Sequence, residues 1–156
     1  MSSVLVVFQA ETEHTEQLAL AVAVGAVEAE GSIRLRRMAA AGAVEVGHKG
    51  YGTLTMGDLL WAGTVVVGLE AERPRAEELE GLLHLLGEIG PEQVEGKQAW
   101  TFAGKGVVVE RTEAQIFVES ALRVAGLTLT PVEALGFGAE GDEMERMKEA
   151  GRRSGR

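Results

Sequence analysis

The chain has 156 residues, of which 46% are hydrophobic and 25% are charged, a balance typical of a folded globular protein that can bury a sizeable core. Its net charge of −9 argues against a nucleic-acid partner or an anionic membrane surface. It contains no cysteine, which excludes disulfides, thiol redox chemistry and cysteine-ligated metals.

The amino-terminal region carries no recognisable targeting signal. Ser2 and Ser3 lead straight into an apolar segment, with no basic stretch before it. The longest apolar stretch, residues 18–27, is interrupted by Gly25 and is far shorter than the roughly 18 residues needed to span a membrane. We therefore expect a cytoplasmic protein with no membrane partner.

The first predicted elements are a buried strand and an alanine-rich helix. Residues 4–8 (VLVVF) form an apolar run rich in β-branched side chains, which is typical of a strand buried on both faces. From residue 13 to residue 30, apolar side chains such as Leu18, Val22 and Ala26 recur every four positions and predict one face of a helix. The alanines on this helix would allow it to pack closely on a sheet.

Capping residues indicate the ends of this helix, and a strand and a long loop are predicted after it. Thr12 or Thr15 is expected to cap the helix start, and Gly31 lies where a carboxyl-terminal glycine belongs. Residues 32–38 (SIRLRRM) alternate in polarity, which predicts a strand less buried than the first. Residues 39–56 contain four glycines and show no clear period, so a long loop is expected there.

The rest of the chain continues the alternation of helices and strands. Helical segments are predicted over residues 57–62, 75–89, 112–125 and 141–152. Strands are predicted over residues 64–67, 96–102 and 127–132. Short hydrophobic strands that alternate with helices imply a parallel sheet covered on both faces, here within a single domain spanning residues 1–156.

Five segments, in order along the chain, resemble a known family. They are VLVVFQAETEHTEQLALAVAVGAVEAEG, GDLLWAGTVVVG, GKQAWTFAGKG, RTEAQIFVESALRVAGLTLTP and EMERMKEAGRR. Together they are similar to the flavodoxin-like fold, particularly to the FMN-dependent NAD(P)H:quinone oxidoreductases of the tryptophan-repressor-binding-protein type. The resemblance implies an α/β protein, a flavodoxin-like three-layer α/β/α sandwich whose five-stranded parallel sheet has the order 2-1-3-4-5. It also implies a homo-oligomer, either a dimer or a tetramer.

Members of this family hold FMN with three loops at the carboxyl ends of the strands. The first loop usually reads S/T-x-T/Y-G-x-T/I-E, which corresponds here to Ala10, Glu11, Thr12, Glu13, His14, Thr15 and Glu16. Thr12 and Thr15 match, whereas Ala10 lacks the hydroxyl offered to phosphate and Glu13 replaces the glycine that lets the backbone close around it.

Carboxylates repel a phosphate and can occupy the positive helix end themselves. Two interpretations stay open: an altered phosphate site with His14 as a donor, or an ordinary acidic helix start.

The second and third loops also depart from the family pattern. After the third strand the family has P-T-x-aromatic-G, but neither the aromatic residue nor the glycine occurs among Leu69, Glu70, Ala71, Glu72, Arg73 and Pro74. After the fourth strand the family offers hydroxyl groups and then glycine, but this chain has Ala103, Gly104, Lys105 and Gly106. The cofactor-binding positions implied by the resemblance are therefore Ala10, Thr12, Glu13, His14, Thr15, Leu69, Glu70, Ala103, Gly104, Lys105 and Gly106.

These departures lead to two hypotheses about function. In the first, the chain is a flavodoxin-like protein with a degenerate FMN site that does not bind FMN in the usual way and acts as a binding or interaction module. The alternative is an FMN-dependent NAD(P)H:quinone oxidoreductase or an electron-transfer flavoprotein with a remodelled cofactor site, which would use NAD(P)H and a quinone and would need no catalytic side chain. No metal site is expected, because His14, His48 and His84 lie far apart in the sequence.

Overall fold

Strands and helices alternate along the chain in the computed structural model, which describes residues 2–9, 12–38, 52–104, 110–136 and 142–156. The strands are β1 (Ser3–Gln9), β2 (Ser32–Met38), β3 (Thr64–Gly68), β4 (Gln98–Phe102) and β5 (Thr128–Leu129). The helices are α1 (Glu13–Glu28), α2 (Met56–Trp61), α3 (Ala76–Glu88), α4 (Pro91–Val94), α5 (Glu113–Ala125) and α6 (Glu143–Gly155), with a short 3₁₀ helix at Val132–Leu135. The predicted loop over residues 39–56 lies largely outside the described residues, and its last residue already begins α2.

The sheet formed by the described strands is parallel throughout and has the order β2-β1-β3-β4-β5, which confirms the predicted order. β1 and β3 lie in the middle of the sheet, and their side chains are almost entirely buried. This burial on both faces explains why their sequences are continuous apolar runs rather than alternating ones. β2 lies at one edge and is only partly buried, in agreement with its mixed polarity.

Helices cover both faces of the sheet, so the predicted three-layer α/β/α arrangement is confirmed. On one face, Val7 packs in a cluster with leucines of α3 and with Leu122 of α5. On the opposite face, Val6 packs in a second cluster with Leu18 of α1 and Met147 of α6. No helix within the described ranges is both long enough and apolar enough to cross a membrane.

The structure corrects several predicted boundaries. α1 ends at Glu28, and the residue with a left-handed backbone after it is Glu30, with φ of 68°, rather than Gly31. The fifth strand is reduced to Thr128–Leu129, because the chain passes through Pro131, which has no N–H to donate, into the 3₁₀ helix. α4 was not predicted, since a single helical turn is too short to show a period.

Helices α1 and α6 pack against each other through glycines. Gly25 of α1 faces the backbone of α6 at Lys148, and Gly151 of α6 faces the backbone of α1 at Val22. A Cβ at either glycine would overlap a backbone carbonyl oxygen of the other helix. The predicted close packing of the alanine-rich helix therefore involves another helix as well as the sheet.

Helix α2 is joined to the edge strand β2 by Asp58, whose side chain is only 3% exposed. Its carboxylate accepts the backbone N–H of Thr55 at 3.0 Å and pairs with Arg34 at 3.2 Å and with Arg36 at 2.9 Å. Burial by itself raises the pKa of Asp58, but the hydrogen bond from the Thr55 backbone and the guanidinium of Arg36 outweigh it, so this pKa lies below its usual value.

We expect Asp58→Asn to lower the free energy of unfolding by about 1–2 kcal/mol at pH 7, because it leaves two half-buried guanidinium groups without their carboxylate. The pKa of this carboxyl is lower in the folded chain than in the unfolded chain, where it is about 3.9. The carboxylate therefore stabilises the fold at pH values above about 3.9, and this stabilisation is lost as the pH falls through the pKa of the folded chain. The difference between the wild type and the variant should therefore shrink below about pH 4. Urea unfolding at a series of pH values measures this difference, and a constant difference down to low pH would contradict the role assigned to Asp58.

Candidate functional site

The carboxyl ends of β1, β3 and β4 lie side by side and bring the three predicted loops together. Phe8, Gly68 and Phe102 are neighbours in register at this edge, and the ring of Phe102 lies over Gly68, where a Cβ would overlap it. The described residues of the predicted site lie just beyond these strands; they are Thr12, Glu13, His14, Thr15, Leu69, Glu70, Ala103 and Gly104. Ala10, Lys105 and Gly106 lie outside the described residues.

A carboxylate of the second loop lies at the start of α1. Oε1 of Glu70 accepts a hydrogen bond from the hydroxyl of Thr15 at 3.0 Å and another from the hydroxyl of Thr12. Thr12 or Thr15 was predicted to cap α1. Thr12 occupies the N-cap position, but its side chain makes no capping hydrogen bond and donates to Glu70 instead. Oε2 of Glu70 is buried and has no hydrogen-bond partner among the described residues. The two threonines that match the family pattern therefore donate to a carboxylate of the same chain.

Gln9 fixes the second loop in this position. Its side chain is buried at the end of β1, and its Oε1 accepts the backbone N–H of Glu70 at 2.7 Å and that of Ala71 at 3.4 Å. Its amide nitrogen donates to Oε2 of Glu78, in α3, at 2.5 Å. Gln9 was not singled out from the sequence, although a polar residue that ends an apolar strand is a signal for the carboxyl edge of a parallel sheet.

His14 connects the start of α1 to the third loop and to α6. Its Nε2 lies 2.8 Å from the backbone oxygen of Gly104 and 3.0 Å from Oε1 of Glu143. The contact with the Gly104 oxygen is a hydrogen bond, whereas Oε1 of Glu143 is buried and has no hydrogen-bond partner among the described residues. This contact ties the start of α1 to the third loop, and the interpretation of His14 as a phosphate donor stays a prediction.

A polar network joins the carboxyl end of β4 to the start of α5. The hydroxyl of Thr101, in β4, donates to Oε2 of Glu119 at 2.7 Å and accepts from Nε2 of Gln115 at 3.1 Å. Nε of Arg111 donates to the same carboxylate oxygen at 2.9 Å, and Gln115 forms a capping box with Thr112 at the start of α5. These residues were not singled out from the sequence, because only the tertiary fold brings the strand and the helix together.

A cleft of about 560 Å³ lies between the second and third loops. The described charged side chains that line it are Glu70, Glu72, Glu110, Glu113, Arg73 and Arg111. Among them carboxylates outnumber cations, and the described lining contains no aromatic side chain. Within the described ranges, no group of three or more potential metal ligands is arranged to hold a metal ion.

Among the described residues, the hydroxyls that the resemblance assigns to the FMN phosphate already donate to a carboxylate of this chain. The phosphate would have to share Thr12 and Thr15 with the carboxylate of Glu70. Two unit charges about 5 Å apart repel by roughly 3 kcal/mol at an effective dielectric of about 20, and a phosphate carries nearly two charges. Among the described residues, the lining of the cleft contains four glutamates and lacks the aromatic side chains that are common in ligand pockets.

Solved structures with the same fold align with almost the whole chain. A flavodoxin from the domain Archaea aligns over 98% of this chain and 96% of its own, at 13% identity and a TM-score of 0.60. A diflavin flavoprotein from Nostoc sp. aligns over 99% and 91%, at 20% identity and a TM-score of 0.62. An azoreductase from Bacillus anthracis aligns over 99% of both chains, at 19% identity and a TM-score of 0.62. These similarities show that the chain has a flavodoxin-like fold.

No protein-family model matches the chain, and a search of curated proteins finds no match.

Proposed function

We propose that this flavodoxin-like protein works without FMN, as a binding or interaction module in which the carboxylate of Glu70 takes the position of the cofactor phosphate. One observation carries the proposal: Oε1 of Glu70 accepts hydrogen bonds from the hydroxyls of both Thr12 and Thr15. These are the threonines that match the phosphate-binding pattern of the family in the first loop. A carboxylate in this position also interacts favourably with the positive end of α1.

The backbone around Glu70 is held by contacts that do not involve its carboxylate. Oε1 of Gln9 accepts the N–H of Glu70, and the N–H of the buried Leu69 donates to the carbonyl oxygen of Phe102 at 2.9 Å. The carboxylate is therefore kept next to the two threonines as an intramolecular ligand. A free phosphate competes with it at a disadvantage, because it must also lose its translational freedom on binding.

The cleft beside Glu70 supports the same proposal. Its excess of carboxylates disfavours an anionic ligand such as FMN. In the third loop Ala103 stands where the family offers a hydroxyl, so a further donor to the cofactor is missing. The changes in all three loops act in the same direction, against a bound flavin nucleotide.

The alternative is an FMN-dependent NAD(P)H:quinone oxidoreductase or an electron-transfer flavoprotein with a remodelled site. It is supported by the structural similarity to proteins named as flavodoxins, a diflavin flavoprotein and an azoreductase. In that case FMN would supply the redox chemistry, and Thr12 and Thr15 would have to exchange Glu70 for the phosphate.

Titration of the purified chain with FMN and with riboflavin tests the proposal. Riboflavin lacks the phosphate, so the ratio of the two affinities isolates the contribution of the phosphate site. We expect colourless protein, a dissociation constant for FMN weaker than about 100 μM by flavin fluorescence, and no preference for FMN over riboflavin. Protein that purifies yellow, or that binds FMN at least about tenfold more tightly than riboflavin, would overturn the proposal.

A further inference from the structure

The side-chain amide of Gln9, at the end of β1, has one favoured orientation. Its nitrogen faces Oε2 of Glu78, and a carboxylate oxygen only accepts hydrogen bonds. Its oxygen faces the backbone N–H groups of Glu70 and Ala71, which only donate. If the amide were turned over, its oxygen would face the carboxylate and its nitrogen would face the two N–H groups. Glu78 therefore selects the orientation in which Gln9 accepts from the second loop.

The carboxylate of Glu78 is itself held in place at the start of α3. It lies in the first turn of this helix, and only 22% of its side chain is exposed. Oε1 of Glu78 accepts from Nη1 of Arg75 at 3.4 Å, while Oε2 accepts from Gln9. Because the helix and the ion pair confine this carboxylate, it can keep the Gln9 amide in one direction.

A series of contacts thus joins α3 to the start of α1. It runs from Glu78 through Gln9 to the backbone of the second loop, and from the carboxylate of Glu70 to the two threonines. Among the described residues, the N–H groups of residues 70 and 71 have no acceptor other than Gln9. A tethered carboxylate outcompetes a free anion only as long as its tether keeps it at the site. The orientation of Gln9 therefore determines how strongly the second loop excludes a free anion.

We propose that Glu78 is a positioning residue that excludes phosphate from the start of α1. By orienting Gln9, it keeps the second loop where the Glu70 carboxylate occupies the hydroxyls of Thr12 and Thr15. This inference rests on the proposed function, because it takes the Glu70 carboxylate to stand in the position of the phosphate. It adds that the anion selectivity of the site is determined from α3 and not only by the loop that carries Glu70.

Calorimetric titration of the full chain with inorganic phosphate tests the proposal. Glu78→Ala should bind phosphate at least about fivefold more tightly than the wild type, because the Gln9 amide is then free to turn and the second loop loses its acceptor. Glu77→Ala is the matched control. It removes the same charge from the neighbouring position of α3, but Glu77 is exposed and Gln9 donates to Glu78. Its phosphate affinity should equal that of the wild type, and equal gains in the two variants would overturn the proposal.

Gln9→Leu provides a second test that leaves the net charge unchanged. Leucine fills a similar volume in the buried position but offers the second loop no acceptor. The phosphate affinity should rise by at least about tenfold, more than in Glu78→Ala, because the acceptor is lost rather than only its orientation. A phosphate affinity equal to that of the wild type would contradict the role given to Gln9 and, with it, the role given to Glu78.

A double-mutant cycle shows whether Glu78 acts through Glu70. Glu78→Ala should raise the phosphate affinity in the wild-type background but not in Glu70→Ala, where no carboxylate is left to position. A merely structural effect of Glu78→Ala would change the affinity equally in both backgrounds and would overturn the proposal.

The same variants separate this inference from the proposed function. If Glu70→Ala binds phosphate more tightly than the wild type while Glu78→Ala and Gln9→Leu do not, the positioning role is wrong and the proposed function stands. If Glu70→Ala itself shows no gain, the Glu70 carboxylate does not stand in the position of the phosphate, and both are wrong.

Discussion

Replacing Gly151 with alanine is expected to lower the free energy of unfolding by about 3 kcal/mol or more, and the melting temperature by roughly 10 °C. Gly151 lies where α6 meets α1, and a Cβ there would overlap the carbonyl oxygen of Val22. The obstacle is a backbone atom that cannot rotate away, so the two helices must separate. Separation would loosen the buried cluster in which Leu18 and Met147 pack. Thermal and urea unfolding measure the effect.

Two glycines of α3 provide the matched control for this substitution. A Cβ at Gly81 or at Gly87 would meet no atom within 4 Å. Both lie inside a helix, where alanine is favoured over glycine by about 0.5–1 kcal/mol. Gly81→Ala should therefore stabilise the protein slightly. A free energy of unfolding for Gly151→Ala equal to that of the wild type would contradict the close packing of α6 on α1.

The sheet could be predicted because its signals are local. The runs VLVVF and TVVV mark buried strands by themselves, and the resemblance to flavodoxin-like proteins supplied the strand order. The packing of α1 on α6 could not be predicted in the same way. Gly25 looks like an interruption of an apolar stretch in the sequence, and only the backbone of a helix far along the chain explains why no side chain fits there.

The candidate site was predicted only in part, for a similar reason. The sequence shows carboxylates in the first and second loops, but not that Glu70 reaches the start of α1. The direction of a loop side chain depends on tertiary contacts, here the hydrogen bonds that Gln9 makes to the backbone of residues 70 and 71. The cofactor-binding roles of all the predicted site residues stay predictions, as does the single-domain organisation, and Ala10, Lys105 and Gly106 lie outside the described residues.

Removing the Glu70 carboxylate is expected to open the phosphate position. Glu70→Ala leaves the hydroxyls of Thr12 and Thr15 without their acceptor and takes one negative charge from the start of α1. Inorganic phosphate should then bind at least about tenfold more tightly than to the wild type, because hydroxyl donors and a helix amino terminus are suited to an anion. Calorimetric titration with phosphate measures the affinity directly, and FMN should show a gain in the same direction.

Glu72→Ala is the control that separates a specific effect of the Glu70 carboxylate in the phosphate position from a general effect of negative charge. It removes one negative charge from the same loop and the same cleft, but Glu72 is exposed and its carboxylate is not the acceptor of the two threonines. A general electrostatic effect would improve the phosphate affinity similarly in both variants. If the Glu70 carboxylate occupies the phosphate position, the affinity should improve only in Glu70→Ala.

Without phosphate, Glu70→Ala should also be less stable than the wild type by about 1–2 kcal/mol, because two hydroxyls lose their acceptor. Saturating phosphate should restore part of that loss, since a ligand that binds only the folded chain stabilises it. This restoration would show that the phosphate and the carboxylate occupy the same position. Equal phosphate affinities in Glu70→Ala and the wild type would mean that the start of α1 does not select an anion. The proposal that the Glu70 carboxylate takes the position of the cofactor phosphate would then be wrong.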